Sequence, residues 1–132
     1  NIFQAQKGLA HAARVTRPGG TIILAAACPE GTGSSHYEDW ALGKESYEDV
    51  IEQFKADGFR IGPHKAFQIA RDAAQFRLMF CSEMDENLTR ALLLNPVKDL
   101  QTAVNIALAD LHCGDRVGVL PHAASTIPTN KA

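Results

Sequence analysis

Gln4 and Lys7 stand three residues apart near the start of the chain. On a helix, that spacing puts both side chains on one face. An ammonium in the first two turns of a helix sits at the positive end of the dipole, where an anion is the favoured neighbour. From Asn1 to Pro29 there is no Asp or Glu, yet Lys7, Arg14, Arg17 and His11 are all present. A helix start, an amide side chain and an unopposed ammonium together suit a small carboxylate or phosphate. The competing reading is a solvated surface lysine, which costs only about a few tenths of a kcal/mol at an exposed site. On spacing alone the surface lysine is the favoured reading.

Other residues offer weaker chemistry. The run Pro29-Glu30-Gly31-Thr32-Gly33-Ser34-Ser35-His36 carries Gly31, Gly33 and Ser34, whose amides and hydroxyl suit an anion. It lacks the lysine of a phosphate loop, and a plain strand-to-helix connector fits it equally well. His64 and Lys65 open a helix, where a structural role competes with a cleft-lining one. His122 lies just beyond an apolar run, either lining a cleft or bonding backbone in a turn. Ser125 and Thr126 suit an anion or a cap. Cys28 and Cys81 fall at the ends of apolar runs, where buried inert thiols are the rule. Trp40 reads as a loop anchor. No Ser-His-Asp order, carboxylate pair or zinc-ligand spacing emerges.

These residues need a frame. Ile2 to Val15 reads as a helix through the stripe Ile2, Ala5, Leu9, Ala12 and Ala13, stopped by Pro18-Gly19-Gly20. Thr21–Ala27 reads as a strand buried on both faces. Cys28 to Gly43 is expected to be a long loop. Ser46 caps a second helix, with Asp49 in place of the usual Glu of a capping box, and Gly58 ends it. Pro63 opens a third helix, whose inward face is Ala66, Ile69, Ala70 and Ala73. Phe76–Cys81 is a second strand and Asp85 to Leu93 a short helix. Leu100, Ala103, Val104, Ala107, Leu108 and Leu111 mark a longer amphipathic helix, with Gly114 as its cap. Arg116–Leu120 is expected to be a third strand, ended by Pro121. Short apolar strands alternating with helices mean an α/β fold. We expect a three-layer, Rossmann-like small parallel sheet with helices on both faces. Ligands of such sheets bind beyond the carboxyl ends of the strands. Those ends lead into Cys28–Trp40, Cys81–Asp85 and Pro121–Pro128, and the start of the first helix belongs with them.

Composition narrows the function classes. The chain has 132 residues, enough for one domain with its own core. A net charge of −2 gives no reason to expect nucleic acid or an anionic membrane as partner. No apolar run reaches the roughly 18 residues of a membrane span. Three cysteines without paired spacing argue for a reduced, cytoplasmic setting. The first residue is Asn, and the second already reads as helical, so the chain is expected to be a fragment of a longer protein.

The motifs also resemble a known family. Phe3-Gln4-Ala5-Gln6-Lys7, Pro18-Gly19-Gly20-Thr21-Ile22-Ile23-Leu24 and Cys28-Pro29-Glu30-Gly31-Thr32-Gly33-Ser34 are similar to the C-terminal domain of the nickel-dependent lactate racemases. His64-Lys65-Ala66-Phe67 with Ala70-Arg71, Asp99-Leu100-Gln101, and Leu120-Pro121-His122 with Thr126 and Pro128 continue the match in order. The resemblance implies a two-domain enzyme that racemises a small 2-hydroxy acid by hydride transfer. It places the nickel-pincer nucleotide, the nickel ligand and the catalytic histidines on the enzyme's own N-terminal domain. To this chain it assigns Gln4 and Lys7, as substrate-binding residues, and no catalytic or metal-binding residue. The cleft-lining set is then His64, His122, Gly31, Gly33 and Ser34. Ala123-Ala124 depart from the two glycines usual in the family, so a turn of different shape is expected there. The alternative from another class is a non-catalytic Rossmann-like module for a nucleotide or phosphate.

Overall fold

The computed structural model describes residues 1–129. The chain begins in α1 (Ile2–Ala13), which Asn1 caps by accepting from the Gln4 amide through its side chain. The turn at Gly19, with a φ of 72°, leads into β1 (Thr21–Ala25). Then come α2 (Ser35–Ala41), α3 (Tyr47–Asp57), α4 (Pro63–Ala73), β2 (Arg77–Cys81), α5 (Glu86–Ala91) and α6 (Leu100–Ala109). β1 and β2 pair in parallel, with Thr21 opposite Arg77 and Ala25 opposite Cys81. Next to β2, the segment around Pro96 adds one parallel bridge to Phe80.

Alternation along the two strands divides the core. Ile22, Leu24, Leu78 and Phe80 face a large cluster built with α1, α2, α3 and α4, including Leu9, Tyr37, Val50 and Ile69. Met79, Cys81 and Ile23 face a smaller cluster closed by Ala103 and Ala107 of α6. Helices therefore cover both faces of a parallel sheet, which is the α/β arrangement expected from short strands separated by helices.

Local signals set most element ends. Ser46 accepts from the Asp49 amide at 3.1 Å and starts α3. Asp49 does not return the bond to Ser46; its carboxylate accepts from the Glu45 amide at 3.3 Å. Gly58, at a φ of 78°, ends α3. Pro63 is the first residue of α4, and Ala66, Ile69, Ala70 and Ala73 are all buried, as their spacing requires. Asp85 and Asp99 cap α5 and α6 through bonds of 2.8 and 2.7 Å.

Three expectations fail. Arg116–Leu120 is not a strand: Val117 and Val119 are 65% and 78% exposed and the segment joins no sheet. β-Branched residues make a strand only where a neighbouring backbone offers a ladder and a face to bury. The supposed loop from Cys28 to Gly43 contains α2, so Trp40 is helical, and its indole donates to Asp57 at 2.9 Å. The signal was local: Ser34 as cap, Glu38 in the first turn, and Tyr37 and Ala41 four apart and buried. Finally, α6 buries only part of its expected apolar stripe. Ala103 is fully buried, while Leu100, Leu108 and Leu111 are exposed. The helix ends at Ala109 with Asp110 as cap, so Gly114 lies beyond it.

Candidate functional site

α1 carries Gln4 and Lys7 exposed on its surface. Its first amides are not free to hold an anion. Ile2 donates to Gly31 O at 3.0 Å, Phe3 to Thr32 O at 3.1 Å, and Gln4 to the Asn1 side chain at 3.1 Å. The anion-binding power of a bare helix start is therefore spent on the neighbouring loop. What remains at the surface is the side-chain chemistry of Gln4 and Lys7.

The glycine-rich loop proves to be a brace for α1. The Gly31 amide donates to Cys28 O at 2.9 Å and the Gly33 amide to Glu30 O at 3.3 Å. Ser34 caps α2 by accepting from the Tyr37 amide at 3.3 Å. Gly31 and Gly33 hold φ values of 59° and 73°. A Cβ on Gly33 would lie 2.3 Å from Asn1 Cγ, so this residue lets the loop close over the helix start. Neither glycine amide is left to cradle a phosphate, which removes the main support for a phosphate-binding module.

The start of α4 meets α1 beside this face. Lys65 is buried and donates to Gln6 Oε1 at 2.9 Å, with its ammonium 5.1 Å from the Phe3 ring centroid. His64 packs edge-on against Phe3 at 5.7 Å and at a tilt against Phe59 at 5.4 Å. Its Nδ1 accepts from the Gly62 amide at 3.1 Å, so the neutral ring carries its proton on Nε2. Desolvation, and then the adjacent Lys65 ammonium, hold the His64 pKa below its ordinary value. Desolvation also lowers the Lys65 pKa, and the positive charge of Lys7 adds to it.

A third segment completes the surroundings. The turn that carries His122 crosses α1, where His11 Nδ1 donates to Ala123 O at 2.6 Å. A Cβ on Gly8 would lie 3.1 Å from the Ala123 Cβ. Gln4, Gly8 and His11 share one helix face by spacing, so this turn lies along the face that holds Gln4. His122 itself is exposed, and its carbonyl accepts from the Ser125 amide at 3.0 Å. Ala123 and Ala124 keep negative φ, so alanine fits there without strain.

The structure thus sets Gln4, Lys7 and the His64–Phe3 contact on the first two turns of α1, and packs the His122 turn further along the helix, at Gly8 and His11. It gives Gly31, Gly33 and Ser34 architectural roles. Gln6, Lys65 and His11 were missed in the sequence as partners of this face. The signal for Gln6 was present: it falls on the Ile2–Leu9 stripe, where a polar residue must have a buried partner. Among the described residues, no three His, Cys, Asp or Glu side chains meet as a metal-ligand set.

Comparison with known proteins agrees with the α/β fold. The chain is 25% identical to the lactate racemase of Thermoanaerobacterium thermosaccharolyticum over 135 aligned residues, covering 99% of this chain and 32% of that protein. The solved structure of the lactate racemase apoprotein from the same organism superposes with a TM-score of 0.85 at 24% identity, over 96% of this chain and 31% of that one. The chain thus spans about a third of the relative's length. Residues 1–127 match the family described as the lactate racemase C-terminal domain, and the chain belongs to that family.

Proposed function

We propose that this chain is the substrate-side domain of a cytoplasmic 2-hydroxyacid racemase or epimerase, in which Gln4 and Lys7 hold the substrate. The observation that carries this is the exposed Gln4/Lys7 face, on a helix without acids, flanked by His64 and the His122 turn. Lys7 supplies a charge-assisted bond to the substrate carboxylate, and Gln4 a neutral donor beside it. Both act by positioning and by charge. The hydride-accepting chemistry belongs to a nickel-pincer nucleotide held, with the proton-transferring histidines, by the enzyme's own N-terminal domain. On this reading the 132-residue chain alone does not turn over a 2-hydroxy acid.

The test is Lys7→Ala in the full-length protein that carries this chain. Loss of one charge-assisted bond costs about 1.5–3 kcal/mol, so kcat/KM for racemisation of the preferred 2-hydroxy acid falls roughly tenfold to hundredfold, with nickel content unchanged. Near-normal kinetics would make Lys7 a surface lysine and overturn the assignment.

A further inference from the structure

Lys65 is an ammonium in an unusual position. It is only 9% exposed, yet its hydrogen-bond partner is the neutral amide of Gln6, and the nearby face it meets is the Phe3 ring. Among the described residues, neither Lys65 nor Lys7 has a carboxylate within ion-pair distance. α1 carries no acid. The one acid of α4, Asp72, lies two turns further along, about 10 Å down the axis, where it pairs with Arg71. Glu30 is engaged by the Asn1 side chain at 2.7 Å, at the far end of the first turn. The imidazole next to Lys65 is neutral and hydrogen-bonded through Nδ1.

A buried charge without a counter-charge is costly, and proteins keep one where a ligand supplies the partner. Lys7 follows Gln6, the residue that holds the Lys65 ammonium, and its positive charge adds to desolvation in lowering the Lys65 pKa. Two ammonium groups with no acid between them form a focus of positive potential at the junction of α1 and α4.

We propose that Lys65 is the second cation of the Gln4/Lys7 site, and that the counter-charge it lacks is the carboxylate of the bound 2-hydroxy acid. This rests on the assignment of Gln4 and Lys7 to the substrate. Phe3 and Gln6 hold the Lys65 ammonium in place, one from its ring face and one from its amide oxygen. Lys65 thereby sets affinity for the anion, while the exposed pair makes the outer contacts.

The experiment compares Lys65→Met, Lys65→Arg and Lys7→Ala in the full-length protein, with lactate as the probe, by calorimetric titration and thermal unfolding. Methionine keeps the length and removes the charge. Lys65→Met is expected to weaken lactate binding about tenfold with a Tm close to wild type, and Lys65→Arg to restore much of the affinity. Lowered Tm with unchanged affinity would make Lys65 a structural lysine and overturn the proposal. If Lys7→Ala also leaves affinity unchanged, the assignment of this face to substrate is what has failed. Should Lys65→Met not fold, the wild-type protein with ¹³C-labelled lysine gives the answer. Saturation with lactate should move the Lys65 titration to higher pH. A Lys7 signal that responds while Lys65 stays fixed would overturn the proposal.

Discussion

Lys7 and His64 show what single residues contribute here. Lys7 is exposed, so its cost to folding is small, and its charge is available to a ligand. His64 is half-buried between Phe3 and Phe59, with Nδ1 used as an acceptor. Protonation breaks that bond and places a second cation beside Lys65. The folded-state pKa lies below the ordinary 6.5, so the unfolded chain binds the extra proton first as pH falls. Stability contributed by neutral His64 is thus fully present above about pH 6.5 and is lost as pH falls toward the folded pKa. His64→Gln keeps an acceptor for Gly62 and removes the titration. We expect its Tm to vary less than wild type with pH across that window. An unchanged pH profile of Tm would show that His64 does not titrate differently on folding.

At the scale of elements, the loop over α1 is the decisive device. Carbonyls of Gly31 and Thr32 take the first amides of α1, and Gly33 closes against Asn1. The loop fixes the angle at which Gln4 and Lys7 emerge. Gly33→Ala meets both a positive φ and the Asn1 side chain. The expected loss is about 1 kcal/mol or more, read as a lower midpoint in urea unfolding with an unchanged slope. A midpoint equal to wild type would mean that the loop readily rebuilds around the new methyl. The same element explains why glycine spacing misleads. Gly31 and Gly33 offer amides to an anion on paper, but those amides are committed inside the turn. A short motif states which backbone shapes are open to it and leaves unstated which partners its amides find.

The whole molecule places a two-stranded parallel sheet between a large helical layer and α6. The segment after α6 is held to this body by side chains. Arg17 reaches Asp115 at 2.6 Å, and His11 reaches Ala123 O. Residues 116–120 contribute no backbone bond to the sheet. Hydrogen exchange should therefore separate the two regions. Amides of β1 and β2 should be protected near the global stability, and those of Val117 to Val119 should exchange at nearly the unfolded rate. Strong protection at Val117 to Val119 would restore a third strand.

Sequence by itself determined α1, α3, α4, α5 and α6, the two strands and the pairing of Gln4 with Lys7 on one face. Each of these depends on residues a few positions apart, so local geometry is enough to express it. Tertiary structure decided the rest. Whether Arg116–Leu120 pairs depends on a backbone neighbour that periodicity does not reveal. The inward side of α6 depends on how much of the sheet is left for it to cover. Lys65 reads as an ordinary helix-start lysine until α4 packs on α1. Only that packing removes it from water, gives it Gln6 and Phe3, and sets it beside Lys7 without an acid between them. Burial and charge proximity are properties of contacts between distant segments, so no short stretch of the sequence states them.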